Sequence, residues 1–351
     1  MREQRFDMIK GVAIFMVLIG HVLTFCIRGI DNAFLFKIVS AVHMPLFFFV
    51  SGWFSYKPEF KSPALLKRFR QLIVPGIICM TLFFFAFPHT GVETPFPKDY
   101  SGALYSEGKY GYWFVFCLFV IMVYYWILTK VLQAVKSRLL RNFIVVIAAV
   151  IVFFTYKYDG KAAGFFEISL SALYFIPFIA GVLAKKYRPQ FERLYSNGNV
   201  YMSALIIGCG CFYPITYSWE FPDYPVLVKM ATPVLHICLA IVAMPLFTDW
   251  EKSAFAPEAT AFQRQSAEMW AYIGRNSLGI YLLHYFFLFP LSPVRELMKG
   301  MHCGIIPTLI VSAFVAAVIM AVVLLVIKII SPSRLLSELL TGNIVSRKKQ
   351  E

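Results

Sequence analysis

Charged residues are scarce in this chain. They make up 15% of its 351 residues, whereas hydrophobic residues make up 59% and aromatic residues 17%. Soluble globular domains are about 25% charged and about 45–50% apolar. So little polar surface excludes the ordinary soluble class. The long, unbroken apolar runs favour membrane-spanning helices over membrane strands, because strands give short segments of alternating polarity.

Metal-site and disulfide patterns are also missing. The seven cysteines form no Cys-x-x-Cys pair, and no spacing of histidine and cysteine resembles a zinc site. Most of these cysteines lie inside apolar runs, so we interpret them as small core residues. The sequence therefore predicts no metal site.

The sequence contains ten apolar runs that we predict to be membrane spans, of which the fifth is short. With the N-terminus inside the cell, most of the 33 Lys and Arg residues fall in cytoplasmic segments, as the positive-inside rule requires. This bias explains the net charge of +14 better than nucleic-acid binding does. We predict an all-α integral membrane protein: one membrane-embedded domain over 1–351, about ten helices and both termini cytoplasmic. The predicted spans are 8–28, 33–54, 72–88, 111–129, 142–156, 164–184, 200–218, 231–248, 271–290 and 305–330.

Three histidines fall deep inside these spans. Along a helix that rises about 1.5 Å per residue, His21 lies roughly 16 Å from the inner edge and His43 roughly 15 Å from the outer edge. Both positions are near the middle of a hydrocarbon core about 30 Å thick, and His284 lies nearer the outside. A single such histidine is equally well explained as a neutral core residue. Three of them favour a polar pocket, because ionisable groups are unfavourable at these depths.

Lys10 and His21 share one face of the first helix, because their separation amounts to three turns plus roughly 20°. A cation at the inner edge and a histidine at the midplane suit an elongated anionic ligand that enters from the cytoplasm. Asp7 shares this face but lies some 21 Å from His21 along the axis. We therefore predict that Asp7 pairs with Lys10 or Arg5, or interacts with the helix dipole.

The ninth predicted span carries a polar stripe. Ser277, Tyr281 and His284 occur at positions i, i+4 and i+7, so they either hydrogen-bond between helices or face the pocket. Glu167 also has two interpretations: it reaches the outer interface, or it faces the pocket and orients a histidine. The sequence leaves open which group from another helix orients His21.

Several motifs, taken in order, resemble the acyltransferase family 3 membrane proteins, bacterial enzymes that acylate carbohydrates of the cell envelope. Each motif is weak alone, and their joint order and spacing carry the resemblance, which covers most of the chain. The motifs are "RFDMIKG", the basic residue and histidine Lys10 and His21, "HMPLFFFVSGWF", the Arg-x-Arg pair Arg68 and Arg70, "YWFVFCLF" and "SLGIYLLHYFF".

The resemblance implies an acyl-CoA-dependent O-acyltransferase of the bacterial inner membrane. Such proteins transfer an acyl group, commonly acetyl, from cytoplasmic acetyl-CoA or another acyl-CoA to a hydroxyl of an envelope carbohydrate or lipid-linked saccharide. Lys10, Arg68 and Arg70 are expected to hold the CoA phosphates, and His21 is expected to be catalytic. Lysine replaces the arginine of many members, which gives up bidentate phosphate binding.

Acyl transfer to an alcohol needs a base for the hydroxyl proton and donors for the developing oxyanion. A neutral His21 is the candidate base, and His43, Tyr281 and His284 are candidates for proton relay or oxyanion donation. An acyl-histidine intermediate is the alternative role for His21. Two other functions fit the pattern. One is a secondary transporter or flippase, and the other is a membrane sensor or assembly partner without catalysis.

Overall fold

The computed structural model shows an all-α protein, with no strand among the residues it describes. Within the described part of the chain, eight helices are long and apolar enough to cross a membrane, or nine if the bent pair Ser277–Phe287 and Ser292–Gly300 forms one span. The prediction of an all-α membrane protein is therefore confirmed. The described residues are 3–27, 33–57, 62–86, 100–106, 108–155, 164–165, 167–216 and 225–344.

The helices follow the predicted apolar runs, and some extend beyond them. α3 begins ten residues before its apolar run, since Lys and Arg near a helix end keep their charged heads in water while the helix continues. α6 covers most of the fifth predicted run, although it is not among the eight candidate spans. The α-helices are α1 Gln4–His21, α2 Ala33–Ser55, α3 Ser62–Ala86, α4 Tyr100–Tyr105, α5 Trp113–Ala134, α6 Arg138–Thr155, α7 Ile168–Lys186, α8 Arg188–Ser196, α9 Gly198–Thr216, α10 Pro225–Ala254, α11 Ala261–Arg275, α12 Ser277–Leu283, α13 Ser292–Gly300, α14 Ile305–Ile330 and α15 Arg334–Thr341.

Helix α1 lies at the centre of the bundle. In its apolar window 61% of the residues are buried, the largest share among the eight candidate spans, compared with 17% for α9. α1 packs against α2, α10, α11, α12 and α14. Its approach to α11 depends on Gly11 and Gly274, because a Cβ on either glycine would overlap the backbone of the other helix. This close contact brings the start of α12 next to Lys10.

The ninth predicted span, 271–290, is not one continuous helix. α11 stops at Arg275, α12 is short, and a 3₁₀ segment covers His284–Phe287. The chain then bends by 83° into α13. Pro290 and Pro293 lie at this bend, and proline cannot donate the backbone hydrogen bond that would continue a helix. In a membrane such a break is tolerated where the irregular backbone is buried in protein.

Candidate active site

A cavity with a basic end lies beside α1, and we call it the basic cavity. It encloses about 480 Å³ between α1, α2, α3, α5, α12 and α15, and Lys10, Arg68 and Arg275 all line it. Asp7 is the single acidic residue among the described residues that line it. The wall formed by α2 and α5 is mainly apolar, with side chains such as Phe47. Three cations and one carboxylate favour an anionic ligand, and the apolar wall suits a ligand with an uncharged arm.

One face of α1 forms the wall of this cavity that leads toward His21. Lys10, Ile14 and Val17 line the cavity, and His21 is the next residue of the same stripe, about 6 Å further along the helix. The Lys10 ammonium pairs with the Asp7 carboxylate at 2.8 Å, which confirms one of the pairings predicted for Asp7. The shared face of Lys10 and His21 therefore connects the basic end of the cavity to the half-buried His21.

Tyr285 is the group that holds His21. Its hydroxyl lies 3.0 Å from His21 Nε2, and the centroids of the two rings are 4.9 Å apart. Tyr285 is buried and lies in the 3₁₀ segment after α12, 264 positions along the chain from His21. Tyr285 is not among the residues predicted from the sequence, and its position directly after His284 in "LLHYFF" is the local signal that points to it.

His21 and His284 both lie where a helix changes its hydrogen-bond pattern. α1 ends at His21 and continues as the π-helix Val22–Cys26, whereas α12 ends just before His284 and continues as a 3₁₀ segment. The Leu291 N–H donates to the Cys26 carbonyl oxygen at 2.8 Å, which ties the end of the π-helix to the residue just before α13. Short π and 3₁₀ stretches inside helices often mark functional sites.

His284 lies beside His21 with one ring nitrogen unused. The centroids of the two imidazoles are 5.0 Å apart. His284 Nδ1 lies 2.8 Å from the Tyr281 carbonyl oxygen and 3.1 Å from that of Ile280, so Nδ1 carries the proton of the neutral ring. Its Nε2 is buried and has no hydrogen-bond partner among the described residues. A buried acceptor nitrogen therefore lies next to His21.

His43 is the third histidine of this region. It is buried, and its Nδ1 lies 2.5 Å from the Val39 carbonyl oxygen. The helix that carries His43, α2, packs against α1, which carries His21. The structure thus places His284 directly beside His21 and His43 on a neighbouring helix. Within the described ranges, no group of three or more His, Cys, Asp or Glu side chains is arranged to hold a metal ion.

Tyr281 stands between the basic cavity and His284. It lines the cavity, and its ring centroid lies 6.0 Å from that of His284. Its hydroxyl donates to the Gly111 carbonyl oxygen at 2.6 Å and accepts from the Phe114 N–H at 3.1 Å. Both hydrogen-bonding directions of this hydroxyl are therefore used by backbone groups. Ser277, on the same predicted stripe, also lines the cavity.

Arg68 and Arg70 face different surroundings, because residues two positions apart on a helix differ by about 200° in direction. Arg68 lines the basic cavity and donates to Gln71 Oε1 at 3.1 Å. Arg70 pairs with Glu338 of α15, and more than half of its side chain is exposed. Arg275, which is not among the site residues predicted from the sequence, joins Lys10 and Arg68 in the cavity.

Glu167 belongs to a buried ion pair. Its side chain is fully buried, and its Oε1 lies 2.7 Å from Lys109 Nζ. The interpretation that Glu167 reaches the outer interface is therefore wrong. Its partner is a lysine of the turn before α5, which the sequence analysis did not single out.

Comparisons with known proteins identify the family of this chain. The chain is 26% identical over 280 residues to the nodulation protein NolL of Sinorhizobium fredii, covering 71% of this chain and 70% of that protein. It is 31% identical over 137 residues to the nodulation protein NolL of Mesorhizobium japonicum, covering 36% of each. No solved structure gives a significant match. The family model for the acyltransferase domain of acyltransferase family 3 matches residues 3–328. The chain therefore belongs to acyltransferase family 3.

Proposed function

We propose that this protein transfers an acyl group, most often acetyl, from an acyl-CoA in the basic cavity to a carbohydrate hydroxyl, with His21 as the base. The observation that carries the proposal is the α1 wall, on which Lys10, Ile14 and Val17 line the cavity and His21 follows. An anion at the basic end would extend its uncharged arm along this wall. Family membership supports acyl transfer over the transporter and sensor alternatives.

The basic end suits the phosphates of CoA. Arg68 and Arg275 carry planar guanidinium groups that bind phosphate through paired hydrogen bonds, whereas Lys10 acts as a point charge. The apolar wall suits the pantetheine arm, which carries the thioester away from the phosphates. We assign phosphate binding to Lys10, Arg68 and Arg275, and we assign Arg70 to the contact between α3 and α15.

The proposed reaction uses the two ring nitrogens of His21 differently. Tyr285 occupies Nε2, so Nδ1 is the nitrogen that accepts the proton of the substrate hydroxyl. The hydroxyl oxygen then attacks the thioester carbonyl carbon, and the tetrahedral intermediate collapses by breaking the carbon–sulfur bond. The proton held by His21 passes to the departing CoA thiolate. His284, whose ring centroid lies 5.0 Å from that of His21, is the candidate relay group.

The proposed setting is the bacterial inner membrane, with the basic end toward the cytoplasm. The bias of Lys and Arg toward one set of loops supports this orientation. The basic cavity would then open where acyl-CoA is made, and His21 would lie near the midplane, roughly 16 Å from the inner edge. A saccharide or lipid-linked saccharide would reach the histidines from the other side of the bundle.

Purified protein in lipid nanodiscs, given labelled acetyl-CoA and a saccharide acceptor, tests the proposal. We expect release of free CoA together with labelled saccharide, and loss of both in His21→Ala. His302→Asn is the matched control, since His302 lies in the turn after α13 with a left-handed φ of 48° that asparagine tolerates. Saccharide movement without CoA release would support a transporter instead. Normal transfer by the His21→Ala protein would show that His21 is not the base.

A further inference from the structure

The turn that leads into α5 has an unfavourable backbone. Lys109, Tyr110 and Gly111 have φ values of 41°, 52° and 87°, all in the left-handed region, which non-glycine residues seldom adopt. Glu167, which contacts this turn, also has a positive φ of 51°. Such backbones persist only where the surrounding structure fixes them, and they concentrate at functional sites.

A buried ion pair fixes this turn. Lys109 Nζ donates to Glu167 Oε1 at 2.7 Å, to the Gly164 carbonyl oxygen at 2.5 Å and to the Ser106 carbonyl oxygen at 3.1 Å. These contacts use all three protons of the ammonium group. The Lys109 and Glu167 side chains are 1% and 0% exposed. Removing either partner would leave the other charge buried without compensation.

The opposite side of the turn contacts the segment that carries Tyr285. The Gly111 carbonyl accepts from the Tyr281 hydroxyl, and the Tyr112 hydroxyl donates to the Leu282 carbonyl oxygen at 3.0 Å. Gly111 also packs against Tyr285, because a Cβ at Gly111 would overlap the Tyr285 hydroxyl. The turn therefore determines where that hydroxyl lies, and the same hydroxyl contacts His21 Nε2 at 3.0 Å.

We propose that the Lys109–Glu167 ion pair positions Tyr285 against His21, so that these two residues set the rate of acyl transfer although neither belongs to the histidine cluster. The series of contacts runs from Glu167 to Lys109, through the turn at Gly111 to Tyr285, and ends at His21. Lys109 and Glu167 are positioning residues in this inference, which rests on the proposed function of His21.

The test compares Glu167→Gln, Tyr285→Phe and the double variant in the acyl-transfer assay. We expect Glu167→Gln to lower kcat about 10- to 100-fold, because small misplacements of catalytic groups have effects of this size. The KM for acyl-CoA should stay within twofold, since the cavity cations are untouched. The double variant should fall no more than about twofold below the slower single variant, because both changes act on the same hydroxyl.

Glu192→Gln is the matched control for the loss of a paired carboxylate. Glu192 accepts from Arg188 at 2.8 Å, and this hydrogen bond holds the pKa of the Glu192 carboxyl below its usual value. We expect the kcat of this variant to equal that of the unaltered protein. Two outcomes would overturn the proposal: a kcat for folded Glu167→Gln within twofold of the unaltered protein, or effects of Glu167→Gln and Tyr285→Phe that multiply in the double variant.

A second readout does not depend on acyl transfer. The rate at which diethyl pyrocarbonate modifies His21, followed by mass spectrometry of its peptide, should rise equally in Glu167→Gln and Tyr285→Phe and should not change in Glu192→Gln. If Glu167→Gln fails to fold, the neutral pair Lys109→Gln with Glu167→Gln replaces it, since it leaves no unpaired charge. If the unaltered protein transfers no acyl group, the proposed function fails, while the His21 reactivity still decides the positioning. If the modification rate of His21 is the same in Glu167→Gln as in the unaltered protein, the proposal that the ion pair positions Tyr285 is wrong.

Discussion

Replacement of Tyr285 by phenylalanine isolates the hydrogen bond to His21. The change removes one hydroxyl, whose oxygen lies 3.0 Å from His21 Nε2, and keeps the ring that packs against His284 with centroids 4.2 Å apart. It also relieves rather than tightens the contact with Gly111. The bundle should therefore fold normally, and His21 alone should lose its orienting partner.

The size of the effect follows from how this hydrogen bond changes during the reaction. When His21 accepts the substrate proton, the ring becomes an imidazolium, and Nε2–H then donates to Tyr285 as a charged group. Hydrogen bonds to charged groups contribute about 1.5–3 kcal/mol, compared with about 0.5–1.5 kcal/mol for neutral ones. Because the neutral hydrogen bond is already present before the reaction, only the difference of about 1–1.5 kcal/mol adds to the barrier, and it lowers the rate roughly 5- to 13-fold. The loss should appear in kcat, because the bond is strongest in the transition state.

Initial rates of labelled acetyl transfer, measured over a range of acetyl-CoA concentrations, separate kcat from KM. Tyr195→Phe is the matched control, since Tyr195 is also buried and its hydroxyl accepts from Arg5 at 3.5 Å, away from the histidines. We expect that variant to keep its kcat. If Tyr285→Phe turns over within twofold of the unaltered protein, Tyr285 does not orient His21. A loss that appears only in KM would refute the transition-state argument.

Two further predictions concern the ends of the site. Arg275→Ala should raise the KM for acyl-CoA about tenfold or more, because one charged contact to a phosphate contributes about 1.5–3 kcal/mol. Arg70→Ala loses a contact to Glu338 instead and should change that KM less than twofold. Equal changes in KM for the two variants would contradict the assignment of phosphate binding to Arg275 and not to Arg70. Gly111→Ala should lower kcat at least as much as Tyr285→Phe, since it adds about 1–2 kcal/mol of backbone strain and a Cβ where the Tyr285 hydroxyl lies. Unchanged turnover of folded Gly111→Ala would show that the turn does not control Tyr285.

The structural features that the sequence predicted correctly are those that depend on a single segment of the chain. Long apolar runs require helices in a membrane, because no water is present to satisfy the backbone. The common face of Lys10 and His21 follows from the helical repeat of α1, and Lys10, Ile14 and Val17 on that face line the basic cavity. The pairing of Asp7 with Lys10 is likewise local, since the two residues are one turn apart on α1.

Contacts between segments that are distant in the sequence could not be predicted from the sequence. The division between Arg68 and Arg70 depends on α15, which supplies Glu338. The place of Arg275 in the cavity depends on the close packing of Gly11 against α11. The pairing of Glu167 with Lys109 depends on a strained turn, and no residue pattern predicts the positive φ values of that turn.

The sequence by itself determined the membrane class, most of the long helices and the one face of α1 that carries both Lys10 and His21, because hydropathy and helical periodicity act within a segment. Tertiary structure alone decided that Tyr285 holds His21 and that His284 lies beside it. These contacts join positions more than 260 residues apart, and they form only where a broken helix packs against the end of α1. Such packing depends on how side chains of several helices fit together, which no local pattern contains.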